Sequence, residues 1–171
     1  AIDLYLPALP AIAHGLGTSA EAVQHSVTVF LAGFSLGMLV YGPLSDRYGR
    51  RPVMLAGMAL FVLASLACLL AGNIEQLIAA RLVQAMGGGA ASVLARAVVR
   101  DVFSPAEAIR QLPLMAMVTA IAPLLAPLLG SVALAWWGWR SPFALLLLWG
   151  LLSLAVVAWA LPETLPAGQR G

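Results

Sequence analysis

Two charged residues lie deep inside apolar stretches of this 171-residue sequence. Asp3 opens the stretch "DLYLPALP", and Arg81 opens "RLVQAMGGGAAS". Charges inside lipid-spanning segments are costly and usually serve a function. A carboxyl group in such a place can take up and release protons, and a nearby guanidinium would adjust its proton affinity and order the site. We therefore predict a proton-coupling or substrate cavity around Asp3 and Arg81, with Tyr5 and Gln84 as its other polar members. The alternative is a permanent Asp3–Arg81 salt bridge that only pins two helices together.

A second charged cluster lies in "YGPLSDRYGRRP", residues 41–52. Only 9% of the chain is charged, yet this cluster places four charged residues within six positions. We expect Gly42 and Pro43 to end one helix, Gly49 to supply a positive-φ turn and Pro52 to start the next helix. The alternative is a solvated basic hairpin, for which the order of these residues would not matter. The charged residues are Asp46, Arg47, Arg50 and Arg51.

The composition predicts that both clusters belong to an all-α membrane protein. Hydrophobic residues make up 62% of the chain, and its mean hydropathy is +0.97. A membrane-spanning helix needs roughly 20 apolar residues, and the apolar stretches lack the alternation of a β-barrel. The predicted spans are residues 1–13 (truncated), 22–42, 52–72, 74–98, 106–135 and 142–161, and residues 162–171 are expected to begin a central cytoplasmic loop. Counted inward from the same surface, Asp3 lies at a depth of roughly 15 Å and Arg81 at roughly 10 Å.

The distribution of arginines predicts the orientation of the chain, because Lys and Arg near span ends stay in the cytoplasm. One side carries six arginines and the other carries only Arg140; the six are Arg47, Arg50, Arg51, Arg100, Arg110 and Arg170. Loop 43–51 and the C-terminus are therefore predicted to be cytoplasmic. Topology also explains the high pI without nucleic-acid binding. The single Cys68 has no partner for a disulfide or a Cys-based zinc site, and we expect no metal or cofactor.

Six spans of even topology are typical of one half of a twelve-span secondary transporter, in which each half is a 3+3 inverted repeat. No sequence repeat is apparent between spans 1–3 and 4–6, so this expectation depends on topology alone. A membrane-embedded enzyme would need a Ser/His, His-cluster or Asp/Asp site at depth, and the sequence shows none.

The stretch "GPLSDRYGRRP" resembles the signature of the major facilitator superfamily, Gly-x-Leu-x-Asp-Arg-x-Gly-Arg-Arg, between its second and third spans. The resemblance implies the N-terminal half of such a transporter, with this loop as a cytoplasmic gate. It makes Asp46 a gate residue, with Arg100 and Asp101 at the end of span 4 as its partners. The remaining loop arginines would then only set the topology.

Three other stretches resemble motifs of the twelve-span drug:proton antiporters. These are "DLYLPALP" in span 1, "RLVQAMGGG" in span 4, where Ala85 replaces the usual glycine, and "APLLAPLLGS" in span 5. The span 5 motif places Pro123, Ala126, Pro127 and Gly130 on a helix that should bend. Taken with "RAVVRDVF" and "LPETLP", the chain is most similar to the bicyclomycin- and chloramphenicol-resistance (Bcr/CflA) subfamily.

This resemblance implies proton-coupled efflux of amphipathic small molecules by alternating access in a bacterial inner membrane. The implied partners are the substrate, protons as coupling ion, the lipid bilayer and a C-terminal half. The alternatives are a metabolite exporter or importer on the same scaffold, and a structural membrane subunit without transport activity, in which Asp3 and Arg81 would tolerate neutral replacement.

Overall fold

The computed structural model describes residues 2–165 as a bundle of helices joined by short turns. Five of them are long and apolar enough to cross a membrane: α3 (Ala20–Tyr48), α4 (Arg50–Leu70), α5 (Ile74–Val102), α6 (Pro105–Trp137) and α7 (Ser141–Ala160). Within residues 2–165 there is no strand. The all-α membrane fold is thus confirmed. Residues 166–171 of the predicted central loop, with Arg170, lie outside the described residues.

The first predicted span is not one continuous α-helix. It consists of α1 (Ile2–Tyr5), a 3₁₀ turn (Leu6–Ala8) and α2 (Leu9–Gly15). Pro7 and Pro10 explain the interruption, because proline has no N–H to donate and its ring clashes with the carbonyl four residues earlier. Each proline lies in the first turn of a new segment, where no donor is required.

The end of the second span was predicted wrongly at Gly42. Helix α3 continues through Pro43 to Tyr48 and ends only at Gly49, whose φ is 100°. Pro43 is tolerated because it lies in an exposed part of the helix near its end, where water or headgroups can satisfy the carbonyl it leaves free. The predicted positive φ at Gly49 is confirmed. Because α4 begins at Arg50, the connection is a single residue, with Pro52 in the first turn of α4.

Small residues allow α5 to pack closely against α3 and α4. A Cβ added at Gly87 would lie 2.5 Å from the backbone nitrogen of Phe61 in α4, and one at Gly37 in α3 would lie 2.6 Å from the carbonyl oxygen of Met86. Dispersion and packing are the main driving forces for helix association in lipid, and they require such close approach. Helix α5 is therefore the centre of the bundle.

Some of the helix contacts are related as a 3+3 repeat requires, whereas within residues 2–165 the extensive contact between the third span (α4) and the fourth (α5) has no counterpart of similar extent between the sixth and the first. The second span (α3) packs on the fourth (α5), as the fifth (α6) packs on the first (α1), and the third (α4) packs on the sixth (α7). Exchanging spans 1–3 with spans 4–6 leaves these pairings unchanged. Gly130 of α6 allows a close approach to α1, since an added Cβ would lie 2.5 Å from the carbonyl oxygen of Leu4.

The two ends of the bundle carry different arginine contacts, and we name them the Arg50 end and the Arg140 end. At the Arg140 end, Arg140 donates from Nε to the carbonyl of Leu69 (3.1 Å) and from Nη2 to that of Ala71 (3.3 Å). Its guanidinium also stacks 4.1 Å from the ring centroid of Trp139. These carbonyls lie at the C-terminus of α4, where cationic groups are favourable. Arg140 therefore joins the turn before α7 to the last turn of α4.

Candidate functional site

Arg81 is fully buried among the helices, seven residues after the start of α5. Its guanidinium lies between two aromatic rings, 4.4 Å from the centroid of Tyr5 in α1 and 4.1 Å from that of Phe30 in α3. The negative faces of aromatic rings attract a cation, by about 2 kcal/mol or more where water is excluded. The first, second and fourth spans thus meet at one buried charge.

A chain of hydrogen bonds fixes the orientation of this guanidinium. Arg81 donates from Nη1 to Oε1 of Gln84 (2.8 Å), and Gln84 donates from Nε2 to Oγ of Ser65 in α4 (2.8 Å). Ser65 in turn donates to the carbonyl of Phe61 (2.7 Å). Arg81 and Gln84 are three residues apart, which places them on the same face of α5. The predicted proximity of Arg81 and Gln84 is therefore observed, and Ser65 extends it to the third span.

Tyr5 is held from a second side. Its hydroxyl lies 2.7 Å from Oγ of Ser26 in α3, and Ser26 donates its only hydroxyl hydrogen to the carbonyl of Val23. Tyr5 must therefore be the donor to Ser26. Its ring also packs against Phe143 of α7 with a centroid separation of 5.6 Å. These contacts hold the Tyr5 ring in place beside Arg81.

Asp3 does not share this site. Within residues 2–165, Arg81 forms no ion pair, and Asp3 makes no hydrogen bond or salt bridge. The interpretation of the two residues as a permanent salt bridge is therefore wrong. Residues two apart on an α-helix differ by about 200° in direction, so the helix that turns Tyr5 toward Arg81 turns Asp3 away from it. Depth in the membrane was comparable for the two residues, but depth does not determine the direction of a side chain.

At the Arg50 end, the charged residues of the predicted gate converge on Arg50. Its Nη1 lies 2.6 Å from Oδ1 of Asp46, and its Nε lies 2.9 Å from Oδ2 of Asp101 at the end of α5. Nη1 also donates to Oγ of Ser45 (2.6 Å). Arg50 thus joins α3, α4 and α5, and its role is not restricted to topology.

The other charged residues of this cluster have different surroundings. Arg100 was expected to pair with Asp46, but it is exposed and forms no ion pair within the described part of the chain. Asp46 pairs with Arg50 instead. Arg47 lies 5.6 Å from the ring centroid of Tyr48. Arg51 donates from Nη2 to the carbonyl of Ala158 in α7 (2.9 Å).

The segment after α7 also contacts the Arg50 end. Glu163 accepts a hydrogen bond from the backbone N–H of Arg50 (2.9 Å), and Thr164 donates to Asp101 (3.3 Å). A carboxylate at a helix N-terminus is favourable because it satisfies a free N–H and interacts with the helix dipole. Glu163 therefore caps α4, and the sequence analysis missed it because its partner lies 113 positions earlier.

Of the antiporter-motif residues of α6, Gly130 packs directly against α1. Gly130 is buried against Leu4, whereas Pro123 is exposed. Ala126 borders an apolar groove of about 460 Å³ that Leu4 and Trp149 also line. Helix α6 contains a third internal proline, Pro113. Three prolines and a largely exposed surface distinguish this helix from its neighbours.

Comparison with known proteins agrees with this architecture. The sequence profile of the Major Facilitator Superfamily matches residues 1–170. The chain belongs to the major facilitator superfamily. A solved member of this superfamily, the human organic anion transporter MFSD10 (TETRAN), superposes with a TM-score of 0.73 at 23% identity over 97% of this chain and 39% of that one.

Curated bacterial members of the superfamily are more similar in sequence. The uncharacterized MFS-type transporter YdgK of Bacillus subtilis strain 168 is 43% identical over 99% of this chain and 42% of its own length. A chloramphenicol resistance protein of Pseudomonas aeruginosa is 39% identical over 95% of this chain and 39% of its own, and multidrug resistance protein D of Escherichia coli K12 is 37% identical over 95% and 41%. The chain spans about two-fifths of the length of these relatives. The resemblance to the Bcr/CflA group is confirmed.

Three residues of the buried site escaped the sequence analysis: Ser26, Phe30 and Ser65. Each lies on a different span from Arg81, and none stands out in an apolar helix. The only available signal was that serine is one of few polar residues in these spans. Their contact with Arg81 or its partners depends on which helices are neighbours, and the sequence of one helix does not contain that information.

Proposed function

We propose that the intact transporter containing this chain exports amphipathic small molecules in exchange for protons by alternating access, in a bacterial inner membrane. The observation that carries the proposal is the similarity over nearly the whole chain to proteins named for multidrug and chloramphenicol resistance. Entry of a proton would supply about 2.3 kcal/mol per 100 mV of membrane potential. In this proposal the six helices form one of two bundles that rock about a central site.

Asp3 is the proposed proton carrier. The chain contains seven acidic residues, and the other six lie at helix ends or beyond them: Glu21, Asp46, Glu75, Asp101, Glu107 and Glu163. Asp3 also lies in the first turn of its helix, but residue counting places it roughly 15 Å from the Arg140 end of the bundle, and we therefore propose that it loads and releases a proton within the membrane. Arg81 is a fixed positive charge in the fourth span, next to Tyr5 of the first span. In this proposal, the charge of Arg81 acts on Asp3 and on the cavity through space, without forming a salt bridge to Asp3.

The Arg50 cluster is the proposed gate at the cytoplasmic side. Arg50 connects two carboxylates that belong to different helices, and Asp46 is 59% exposed and so accessible to a further partner. Partly exposed ion pairs contribute about 0.2 to 1 kcal/mol each. Interactions of this size can bias an equilibrium between two transporter states and still allow exchange.

Proton coupling is tested by replacing Asp3 with Asn in the full-length transporter. In inverted vesicles loaded with a pH-gradient dye, we expect the wild type to dissipate the gradient when a transported drug is added, and the Asp3→Asn variant not to. Glu21→Gln is the matched control, because Glu21 is exposed in the first turn of α3. If the Asp3→Asn variant dissipates the gradient as the wild type does, Asp3 is not the proton carrier and the coupling site lies elsewhere.

A further inference from the structure

Two nitrogens of Arg81 remain without a hydrogen-bond partner in a fully buried setting. Nη1 is bonded to Gln84, but neither Nε nor Nη2 has an acceptor among residues 2–165. The Nε–H and Nη2–H bonds lie along one edge of the planar guanidinium and point in nearly the same direction. This edge matches the two oxygens of a carboxylate, which it can bind in a bidentate manner. Buried polar groups without a partner are rare in native proteins and call for an explanation.

No carboxylate of the chain occupies this edge. All seven acidic residues are described, and none forms an ion pair with Arg81. Asp3 is the nearest candidate by depth, but it lies on the other face of α1 from Tyr5. The aromatic rings interact with the faces of the guanidinium and leave its edge unsatisfied. An anion at the edge would offset both the missing hydrogen bonds and the buried charge.

The surroundings hold the guanidinium in a fixed orientation. Tyr5 and Phe30 cover its two faces, and Gln84 fixes Nη1 through its bond to Ser65. A ligand can therefore approach only in the plane of the guanidinium. Such preorganisation reduces the entropy lost on binding, and it favours a planar oxyanion over a spherical or bulky group.

An apolar cavity adjoins the same cage. Phe30, which covers one face of Arg81, also lines a cavity of about 250 Å³ together with Phe34, Met58, Phe61 and Trp149. Phe30 and Phe34 are stacked, with ring planes 10° apart. Ligand sites are typically apolar and aromatic, with a few polar groups that fix orientation. A small aromatic body next to a carboxylate fits this combination.

We propose that the Nε/Nη2 edge of Arg81 binds the carboxylate of a transported amphipathic acid, whose apolar body lies against Phe30. The proposal rests on the proposed transport function and specifies one substrate class for it. Arg81 is fully buried within this bundle even without the other half of the transporter, so its edge becomes accessible only when helices of the bundle move apart. The first span, which is interrupted at Pro7 and Pro10, is the segment that we expect to move.

The test compares three probes that share a ring and differ in the head group: 1-naphthoate, 1-naphthamide and 1-naphthylmethylammonium. Binding to the full-length transporter in lipid nanodiscs is measured by equilibrium dialysis, without a proton gradient. We expect 1-naphthoate to bind at least about tenfold more tightly than 1-naphthamide. A charge-assisted bidentate hydrogen-bonded pair lowers the dissociation constant by about that factor or more. Equal affinities for the two probes would overturn the proposal, and this comparison requires no variant.

Substitution then assigns the preference to Arg81. Arg81→Lys keeps the positive charge but loses the planar edge, and we expect it to reduce 1-naphthoate affinity about tenfold and to leave 1-naphthylmethylammonium unchanged. Arg140→Lys is the control, because Arg140 also stacks on an aromatic ring but is exposed and donates to the carbonyls of Leu69 and Ala71. Unchanged 1-naphthoate affinity in Arg81→Lys would overturn the proposal.

The two proposals fail in different ways. If drug-dependent proton exchange occurs and requires Asp3, but 1-naphthoate binds no better than 1-naphthamide, this inference alone is wrong. If 1-naphthoate binds through Arg81 but no compound dissipates a proton gradient, the site exists and proton-coupled export is wrong.

Discussion

At the scale of single residues, the main feature is a buried arginine stabilised by two aromatic faces and an amide. Tyr5 and Phe30 compensate part of the cost of burying the charge, and Gln84 satisfies one of its nitrogens. The arrangement leaves the charge of Arg81 available within the membrane, since no carboxylate of residues 2–165 neutralises it. A fixed, unneutralised charge is well suited to act on molecules or protons that pass through a cavity.

We expect Phe30→Leu to reduce the free energy of unfolding mainly through the lost contact with Arg81. In a double-mutant cycle with Arg81→Met, the coupling energy should be about 1 to 2 kcal/mol. The measurement is equilibrium unfolding of the full-length transporter in detergent. Phe34→Leu is the control: it removes a ring that stacks on Phe30 but does not cover Arg81, so its coupling to Arg81→Met should stay below about 0.5 kcal/mol. Equal coupling for both phenylalanines would show that general packing, and not the cation–π contact, is responsible.

Arg81 and its neighbours Tyr5 and Gln84 were predictable, but Ser26, Phe30 and Ser65 were not. A charge in an apolar stretch is visible in the sequence, and the helical spacing of Arg81 and Gln84 gives their common face. The depth of Asp3 also follows from residue counting. The direction of Asp3 does not, because the first span is broken by Pro7 and its rotation depends on packing against α3 and α6.

At the scale of elements, close contact between α4 and α5 depends on which glycine faces the neighbouring backbone. Gly87 faces the backbone of Phe61, whereas the adjacent Gly88 has only ring atoms of Phe61 and Phe34 near it, at 3.5 Å and beyond. The run of three glycines indicates close packing in the sequence. It does not indicate which of the three is essential.

Gly87→Ala should therefore destabilise the transporter, and Gly88→Ala should not. An added methyl group at Gly87 would lie within 2.5 Å of backbone and force the helices apart, at a cost of about 1 to 3 kcal/mol. At Gly88 the same group finds ordinary contact distances, and the higher helix propensity of alanine makes the change neutral or stabilising by up to about 1 kcal/mol. Thermal unfolding of both variants in the same detergent would check this. A larger loss for Gly88→Ala would contradict the packing described here.

Helix boundaries show the limit of sequence patterns at this scale. Hydropathy located the five complete spans, because each must cover the hydrocarbon core. The pair Gly42 and Pro43 appeared to end α3, yet the helix continues to Gly49. Near the end of a membrane helix, polar surroundings can satisfy the carbonyl that proline leaves free, so the usual rule for proline weakens there.

At the scale of the whole molecule, the orientation in the membrane is the property that follows most directly from charge. The arginine distribution predicts that the Arg50 end faces the cytoplasm and the Arg140 end faces outward. The contacts of Arg140 also explain why one arginine is present at the Arg140 end, which is predicted to be the outer one. Its charge is engaged by carbonyls of α4 and by Trp139, and so it serves a structural role there.

Single-cysteine labelling would test this orientation. In the full-length transporter with the buried Cys68 replaced by Ser, we expect Thr18→Cys to react with a membrane-impermeant maleimide in intact cells. Ala106→Cys, in the first turn of α6, should react only after the membrane is permeabilised. The unlabelled Cys68→Ser parent is the control. The reverse pattern would invert the topology and place the Arg50 cluster outside.

Helix α4 is held by side chains from other segments at both of its ends. Glu163 bonds to its first backbone N–H, and Arg140 bonds to carbonyls at its last turn. Helix α6 has no such side-chain bond to another helix at either end within residues 2–165, and it contains three internal prolines. We therefore expect the two helices to differ in stiffness, with α4 the more rigid and α6 the more easily bent. In the proposed alternating-access cycle, we expect bending to concentrate in α6 while the helices around α4 move as a rigid body.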